Sequence, residues 1–180
     1  SLAMAQMGLS SLKVGRVAQE DWIRVQRIGR KLVAVSDRRD VTYQFGVIRE
    51  KSPNAFTLPG GTIYVHTGVL EKATDDELAA VLAHEVGHVA ARHAAKHLQA
   101  DLGFTVLLTL AQASGVGSES ARVADSMYEL FRRGFSREDE LQADRLAIRY
   151  TYRAGYNPWG LVSFFEELKK EEPEGLLPRV

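Results

Sequence analysis

The chain has 180 residues, and 45% of them are hydrophobic. This is enough apolar sequence to bury one core, so we expect a single domain over residues 1–180. The 23 lysine and arginine residues balance the 23 aspartate and glutamate residues, so no nucleic acid partner and no strong attraction to an anionic surface are expected. Cysteine is absent, which excludes disulfides and cysteine-ligated zinc but leaves the compartment open.

The first half of the chain predicts a helix followed by three short strands. Apolar residues at helical spacing, among them Val25, Ile28 and Leu32, predict a helix from Gln19 to about Val35. The strands are expected at Thr42 to Ile48, Asn54 to Leu58 and Thr62 to His66, the last two forming a hairpin around Pro59-Gly60-Gly61. Three strands followed only by helices favour an α+β fold, with a small three-stranded sheet on a mainly helical body.

A helix with a metal-binding pattern follows the hairpin. Thr74 and Glu77 have the spacing of a capping box, which predicts that a helix begins here. Further along, His84-Glu85-Val86-Gly87-His88 reads H-E-x-x-H. Each helical residue advances by about 100°, so His84 and His88 share a face and Glu85 lies beside them. A zinc hydrolase needs this arrangement of two nitrogen ligands and a base; a structural histidine pair is the alternative.

The remaining histidines receive weaker interpretations. His93 and His97 also lie four residues apart, but a continuous helix would place them roughly 180° and 220° around from His84. We therefore expect them outside that site, in a solvated or capping role near the helix end, with a second metal site as the alternative. His66 ends a predicted strand, and we expect an ordinary surface or packing residue there.

The next segment raises the question of a membrane. Leu102 to Ala113 is apolar over about 12 residues and is interrupted by Thr105, Thr109 and Gln112, whereas a spanning helix needs roughly 20 apolar residues. We expect a buried helix and no transmembrane span. A segment that touches a membrane or a partner is the alternative.

Ser136 predicts the start of another helix, and acidic residues that could bind a metal follow it. Glu140 and Asp144 share a face of this helix, so Glu140 could be a third ligand while Asp144 fixes the tautomer of a ligand histidine. The spacing alone does not choose among Glu138, Asp139 and Glu140. A solvated acidic face is the alternative, since acidic residues are common in the first turn of a helix.

Three other segments are predicted from turn residues and periodicity. Gly115-Val116-Gly117-Ser118 predicts a break, and a helix is expected from Ala121 to Arg133. The helix after Ser136 is expected to run to about Ala154. A last helix is expected with Pro158 in its first turn and to run toward Lys170.

Three stretches together resemble a known family. His84-Glu85-Val86-Gly87-His88, the later Ser136-Arg137-Glu138-Asp139-Glu140-Leu141-Gln142-Ala143-Asp144, and Asn54 to Val65 are similar to the gluzincin metalloendopeptidases related to HtpX and the CaaX prenyl protease. Among these, the chain is most similar to the soluble BepA-like members, which implies a minigluzincin-type domain with the hairpin beside the H-E-x-x-H helix.

The resemblance implies roles for particular residues. It implies one zinc per chain, bound by His84, His88 and Glu140, with Glu85 as the general base and acid. Asp144 is expected to hydrogen-bond to a ligand histidine rather than to bind the zinc. The substrate is expected to be an extended or misfolded polypeptide that pairs with an exposed edge of the hairpin, so Asn54, Ala55 and Phe56 are the expected substrate-binding residues.

The resemblance also leaves two matters open. The family's later His-Pro segment and arginine have no counterpart before Val180, so either the domain is truncated or these groups come from elsewhere. The implied setting is protein quality control in the periplasm or another extracytoplasmic compartment, with association with a membrane left open. The alternative functions are a zinc-binding chaperone or assembly factor with latent or gated proteolysis, and a metal-stabilised structural domain.

Overall fold

The computed structural model describes residues 18–97, 99 and 134–171. In chain order its helices and strands are α1 (Gln19–Val35), β1 (Gln44–Ile48), β2 (Ala55–Leu58), β3 (Thr62–His66), α2 (Thr67–Leu70), α3 (Asp75–Ala91), α4 (Arg137–Arg153) and α5 (Gly160–Glu171). A three-stranded sheet beside a mainly helical body confirms the predicted α+β fold. The helices expected at 102–113 and 121–133, and the break between them, lie outside the described residues.

Helix α3 lies at the centre of the described part of the chain. It packs against α1, α4 and α5 and against strands β2 and β3. The predicted capping box starts it: the Thr74 hydroxyl accepts from the N–H of Glu77, and Glu77 Oε2 accepts from the N–H of Thr74 at 2.8 Å. Since most of its residues are buried and interiors are close-packed, the side chains of α3 hold defined positions.

Helix α1 has the predicted bounds and packs on α3 through a buried apolar face. Val25, Ile28 and Leu32 on this face are each 0% exposed. Arg24 on the same helix donates to the carbonyl oxygen of Ala73 at 2.6 Å and to Asp75 Oδ1 at 2.7 Å. These bonds tie α1 to the first turn of α3.

The strand order in the sheet is β1-β3-β2. Strand β3 pairs in parallel with β1 and antiparallel with β2, so it lies in the centre. The predicted hairpin is present: Gly60 and Gly61 have φ angles of 93° and 94°, a region that glycine enters without a steric penalty. The first strand begins at Gln44, slightly later than the alternation of the sequence suggested.

The two edges of the sheet differ. On β1, Gln26 from helix α1 donates its Nε2 to the carbonyl oxygen of Phe45 at 2.8 Å, so this edge is partly covered. On β2, the N–H of His66 donates to the carbonyl oxygen of Asn54 at 2.9 Å. Because facing and outward groups alternate along an antiparallel pair, the N–H and C=O of Ala55 point away from β3. Strand β2 is therefore the hairpin's edge strand.

The last helix starts later than predicted. It begins at Gly160, so the placement of Pro158 in its first turn is wrong. Asn157 and Pro158 form the turn that leads into it: Asn157 Oδ1 accepts from the N–H of Trp159 at 3.0 Å, and its carbonyl oxygen accepts from the N–H of Gly160 at 3.1 Å. Within the described residues, no helix combines the length and the apolar character needed to cross a membrane.

Candidate metal centre

Two histidines of α3 direct their Nε2 atoms at each other. His84 Nε2 and His88 Nε2 lie 2.9 Å apart, and the two rings are nearly perpendicular. His88 is 1% exposed, and His84 is partly exposed. The predicted one-turn spacing therefore brings two nitrogen atoms to one point at the edge of the core.

Helix α4 adds a carboxylate to this point. It begins at Arg137 with Ser136 as the predicted N-cap, whose hydroxyl accepts from the N–H of Asp139 at 3.2 Å. Glu140 Oε2 lies 3.1 Å from His84 Nε2, and Glu140 Oε1 lies 3.7 Å from His88 Nε2. One ligand atom from each of the three residues lies within 4.8 Å of the others. Of the three acidic residues that the spacing left open, Glu140 is the one brought to both histidines.

Gly87, inside the H-E-x-x-H sequence, permits the close approach of α4. A Cβ built on Gly87 would lie 3.0 Å from the carbonyl oxygen of Ala143 and 3.2 Å from Leu146 Cβ. Ala143 is itself fully buried. The helix that carries Glu140 can approach this closely because Gly87 has no side chain and Ala143 has only a methyl group.

Gly87→Ala is expected to lower the free energy of unfolding by about 1–3 kcal/mol, the usual cost of an added methyl group in a packed interface. Alanine favours a helix by about 1 kcal/mol over glycine, so a net loss would isolate the steric effect. Thermal unfolding of the zinc-free protein measures it. A variant more stable than the parent would show that the two helices separate freely.

Asp144 and Glu85 occupy the two positions beside this cluster. Asp144 Oδ1 lies 2.9 Å from His84 Nδ1, so it holds the ring nitrogen that faces away from the cluster. Glu85 is 7% exposed and lies near both histidines and Glu140. Burial raises the pKa of Glu85, although His88 and His84 oppose this effect, so its carboxylate binds a proton more readily than an exposed one would.

The charges in the cluster depend on one another. Burial lowers the pKa of His84, but hydrogen bonds to Asp144 and Glu140 outweigh it and raise the pKa to about 10. Burial opposes ionisation of Glu140, but hydrogen bonds with His84 and His88 hold its pKa well below the usual range. The carboxylates therefore favour a positive charge between the imidazoles, and a metal cation would replace the proton that they attract.

His93 lies against this cluster, and its predicted position outside it is wrong. Its Nδ1 is 2.9 Å from His88 Nδ1, and the residue is 1% exposed. Helix α3 ends at Ala91, and Arg92 adopts a left-handed conformation with φ of 62°. This residue breaks the helical periodicity, so an angle extrapolated from His84 does not apply to His93. This burial contradicts the solvated role expected for His93, and it also lowers the pKa of the residue.

Two further neighbours were not recognised in the sequence. Gln142 Oε1 lies 3.0 Å from His93 Nε2, and the ring of Phe135 stacks on that of His88 with 4.2 Å between centroids. Gln142 lies between Glu140 and Asp144 in the chain, which is the one sequence signal that could have drawn attention to it. Phe135 precedes the helix cap and carried no such signal.

The expected substrate-binding residues lie at the open part of the β2 edge. Asn54 is exposed and Ala55 and Phe56 are half-buried, whereas Thr57 and Leu58 are buried. His66 is a packing residue, as expected: it is 5% exposed, and its Nδ1 lies 2.9 Å from the carbonyl oxygen of Ser52. The open stretch is therefore short and lies on a strand that packs against the helix with the histidines.

A buried H-E-x-x-H helix, a carboxylate from a second helix and a small sheet with an open edge define the class of the metallopeptidases. The sequence model of peptidase family M48 matches residues 19–176, and the chain belongs to this family.

Relatives come from bacteria and eukaryotes. The chain is 33% identical over 150 residues to the mitochondrial metalloendopeptidase OMA1 of Schizosaccharomyces pombe, covering 82% of this chain and 44% of that protein. It is 36% identical to the metalloprotease LoiP of Escherichia coli, covering 71% and 52%. It is 30% identical to the putative beta-barrel assembly-enhancing protease of Vibrio cholerae, covering 82% and 32%. The chain thus spans about half or less of the length of these relatives.

Proposed function

We propose that the chain is a zinc-dependent metalloendopeptidase domain, formed by residues 1–180 as one unit, that hydrolyses peptide bonds in extended or misfolded polypeptide segments. The observation that carries this proposal is the convergence of His84 Nε2, His88 Nε2 and a Glu140 oxygen within 4.8 Å. Two imidazoles and one carboxylate are the protein ligands of many catalytic zinc sites, where a fourth position is left to water or substrate.

The donor set fits zinc. Nitrogen and carboxylate donors suit this ion. The residues that contact the second ring nitrogen of each histidine fit a zinc site too, because a ligand histidine usually gives its other N–H to a carboxylate or another acceptor. When bound, zinc supplies a Lewis acid that polarises the scissile carbonyl group and acidifies water. His84, His88 and Glu140 would hold it, and one zinc per chain is proposed.

Glu85 would move the proton. Its carboxylate takes a proton from the attacking water and returns it to the leaving amine, acting first as base and then as acid. The raised pKa of the buried Glu85 carboxyl suits this exchange, because a base works best when its pKa approaches the operating pH. A purely structural metal site would have no use for a carboxylate here.

The substrate would bind as an additional strand along β2. The N–H and C=O of Ala55 point away from β3, Asn54 is exposed, and Ala55 and Phe56 are half-buried. Main-chain pairing at such an edge depends little on side chains, which suits a protease that acts on varied extended segments. Ile63 and Tyr64 lie in the central strand β3, so a substitution that tests the edge belongs in β2.

Ala55→Pro is therefore the informative change. It removes an N–H that makes no bond to β3, so the sheet should persist, while one hydrogen bond to the substrate is lost. We expect the KM for extended peptides to rise about 10-fold, corresponding to about 1.4 kcal/mol. Ala55→Val keeps the N–H and controls for the added side-chain volume. Equal KM values in the proline variant and the parent, with zinc content unchanged, would place the substrate elsewhere.

Removal of the metal tests the proposed chemistry directly. A chelator is expected to abolish cleavage of casein and of an extended peptide, and stoichiometric zinc to restore it, because loss of the Lewis acid removes the activation of water. Metal analysis of the purified protein should give one zinc per chain. Full cleavage by protein shown to be free of metal would refute the proposal.

A second candidate function is a zinc-binding chaperone or assembly factor whose proteolysis is latent or gated. The open edge of β2 favours it, because such an edge can hold an extended chain without cutting it. Binding of an extended peptide to a Glu85→Gln protein, together with no turnover by the parent under any condition, would favour this function over the protease.

We also propose protein quality control in an extracytoplasmic compartment as the setting. The support is the similarity to bacterial proteins named beta-barrel assembly-enhancing proteases; the relatives named as mitochondrial proteases are the competing precedent. Fractionation of cells that produce the full-length protein tests this setting.

A further inference from the structure

His93 is a buried polar residue beside the candidate metal centre for which the proposed mechanism has no use. Its side chain is 0% exposed. Its Nδ1 lies 2.9 Å from His88 Nδ1, and its Nε2 lies 3.0 Å from Gln142 Oε1 and 3.2 Å from Asp139 Oδ1. His93 thus stands between a candidate ligand on α3 and two residues of α4.

The contacts of His93 determine where the protons lie. A neutral imidazole has one N–H and one lone pair. If His88 Nε2 is a ligand, the proton of His88 is on Nδ1, and His93 Nδ1 must accept it. His93 then carries its own proton on Nε2, where both partners are oxygen atoms.

The opposite arrangement is unfavourable. With its proton on Nδ1, His93 would direct the lone pair of Nε2 at the carboxylate oxygen of Asp139. Rotation of the Gln142 amide by 180° would offer an N–H, but an ionised Asp139 has no proton to donate. The acceptor pair on α4 therefore selects one tautomer of His93, and that tautomer selects the one of His88.

We propose that His93 is a positioning residue that fixes His88 with its proton on Nδ1 and its Nε2 lone pair toward His84 and Glu140. This inference rests on the proposed zinc site. Asp144 plays the same part for His84 directly, whereas His93 acts as an intermediate between His88 and Gln142 and Asp139. Helix α4 thus supplies a carboxylate to the centre and also determines the orientation of both imidazoles.

Zinc affinity of His93 variants tests this role. His93→Asn places an oxygen near the position of Nδ1 and can still accept from His88, whereas His93→Gln places its amide near the position of Nε2. In competition with a chromophoric chelator, we expect His93→Gln and His93→Phe to bind zinc about 10- to 100-fold more weakly, the usual loss for a partner behind a ligand. His93→Asn should stay within about 3-fold of the parent.

A matched control separates positioning from general stability. His66→Phe also removes a buried histidine that bonds to a carbonyl oxygen, but it lies in β3. We expect this variant to unfold at a lower temperature without zinc and to keep the parent's zinc affinity. A loss of affinity in His66→Phe equal to that in His93→Phe would mean that lost packing explains both, and would overturn the inference.

Nitrogen NMR of the unsubstituted protein gives a test that needs no variant. In the zinc-loaded protein, the proton of His88 should be on Nδ1 and that of His93 on Nε2. A proton on His93 Nδ1, or parent-like zinc affinity in both His93→Gln and His93→Phe, would overturn the inference while leaving the zinc site intact. Failure of the parent to bind zinc would instead refute the proposed site, and this inference with it.

Discussion

Glu85→Gln should reduce kcat for an extended peptide by about 10²- to 10⁴-fold, the range typical of lost general acid–base catalysis. Glutamine keeps the shape of the side chain but cannot take a proton from water. The candidate ligands His84, His88 and Glu140 are untouched, so zinc content should not change. Steady-state kinetics on protein of measured zinc content gives the result.

The stability of the same variant is part of this prediction. Burial raises the pKa of Glu85, so the charged form is disfavoured in the folded zinc-free protein, and a neutral glutamine removes this cost. The zinc-free variant should unfold at or above the temperature of the parent. Glu77→Gln is the control, because glutamine also serves in a capping box and should leave kcat near the parent value. Parent-like turnover by Glu85→Gln would show that another group is the base.

Glu140→Gln should weaken zinc binding by more than about 100-fold. This exceeds the loss usual when the changed residue hydrogen-bonds to a ligand without binding the metal itself. The amide preserves the volume but removes the negative charge that the two imidazoles face. Glu138→Gln, two residues earlier in the same helix and exposed, is the matched control and should keep the parent affinity.

Thermal unfolding with and without zinc gives an independent measure of the same effect. A ligand at 100 times its Kd stabilises a protein by about 2.7 kcal/mol, so zinc should raise the Tm of the parent and of Glu138→Gln. The Tm of Glu140→Gln should not respond at the same zinc concentration. If the two variants respond alike, Glu140 does not bind the metal.

Local patterns in the sequence predicted much of the fold and the shared face of the two histidines, whereas the choice of Glu140 came from the family resemblance. The bounds of α1, the capping box at Thr74 and the cap at Ser136 each depend on residues within one or two turns. The same holds for the shared face of His84 and His88. Such features follow from helical geometry alone, and the structure shows each of them.

The order of the strands could not be predicted in this way. A tight turn makes β2 and β3 neighbours, but it does not say which of them β1 joins. Strand β1 pairs in parallel with β3, and β1 packs on α1 while β3 packs on α3, so this pairing accompanies contacts between distant parts of the chain that no local signal gives. The identity of the edge strand, and hence a useful site for a proline, became clear only from the structure.

His93 was misplaced because a single residue changed the direction of the chain. Arginine seldom adopts a left-handed conformation, which costs about 1–2 kcal/mol for residues other than glycine, so nothing in the sequence marked Arg92 as the end of α3. The contribution of Gly87 was missed for another reason: a glycine within a helix gives no indication of which helix will approach it. Both are tertiary effects, and both act at the candidate metal centre.

The open edge of β2 has a consequence for how the protein would behave at high concentration. A second copy carries the same edge, and two such edges can pair around a twofold axis, since each offers the donors and acceptors that the other needs. Self-association of this kind would occupy the outward groups of Ala55 on both copies and compete with the substrate. Specific activity would then decrease as protein concentration rises, and dilution would reveal turnover that a concentrated sample hides.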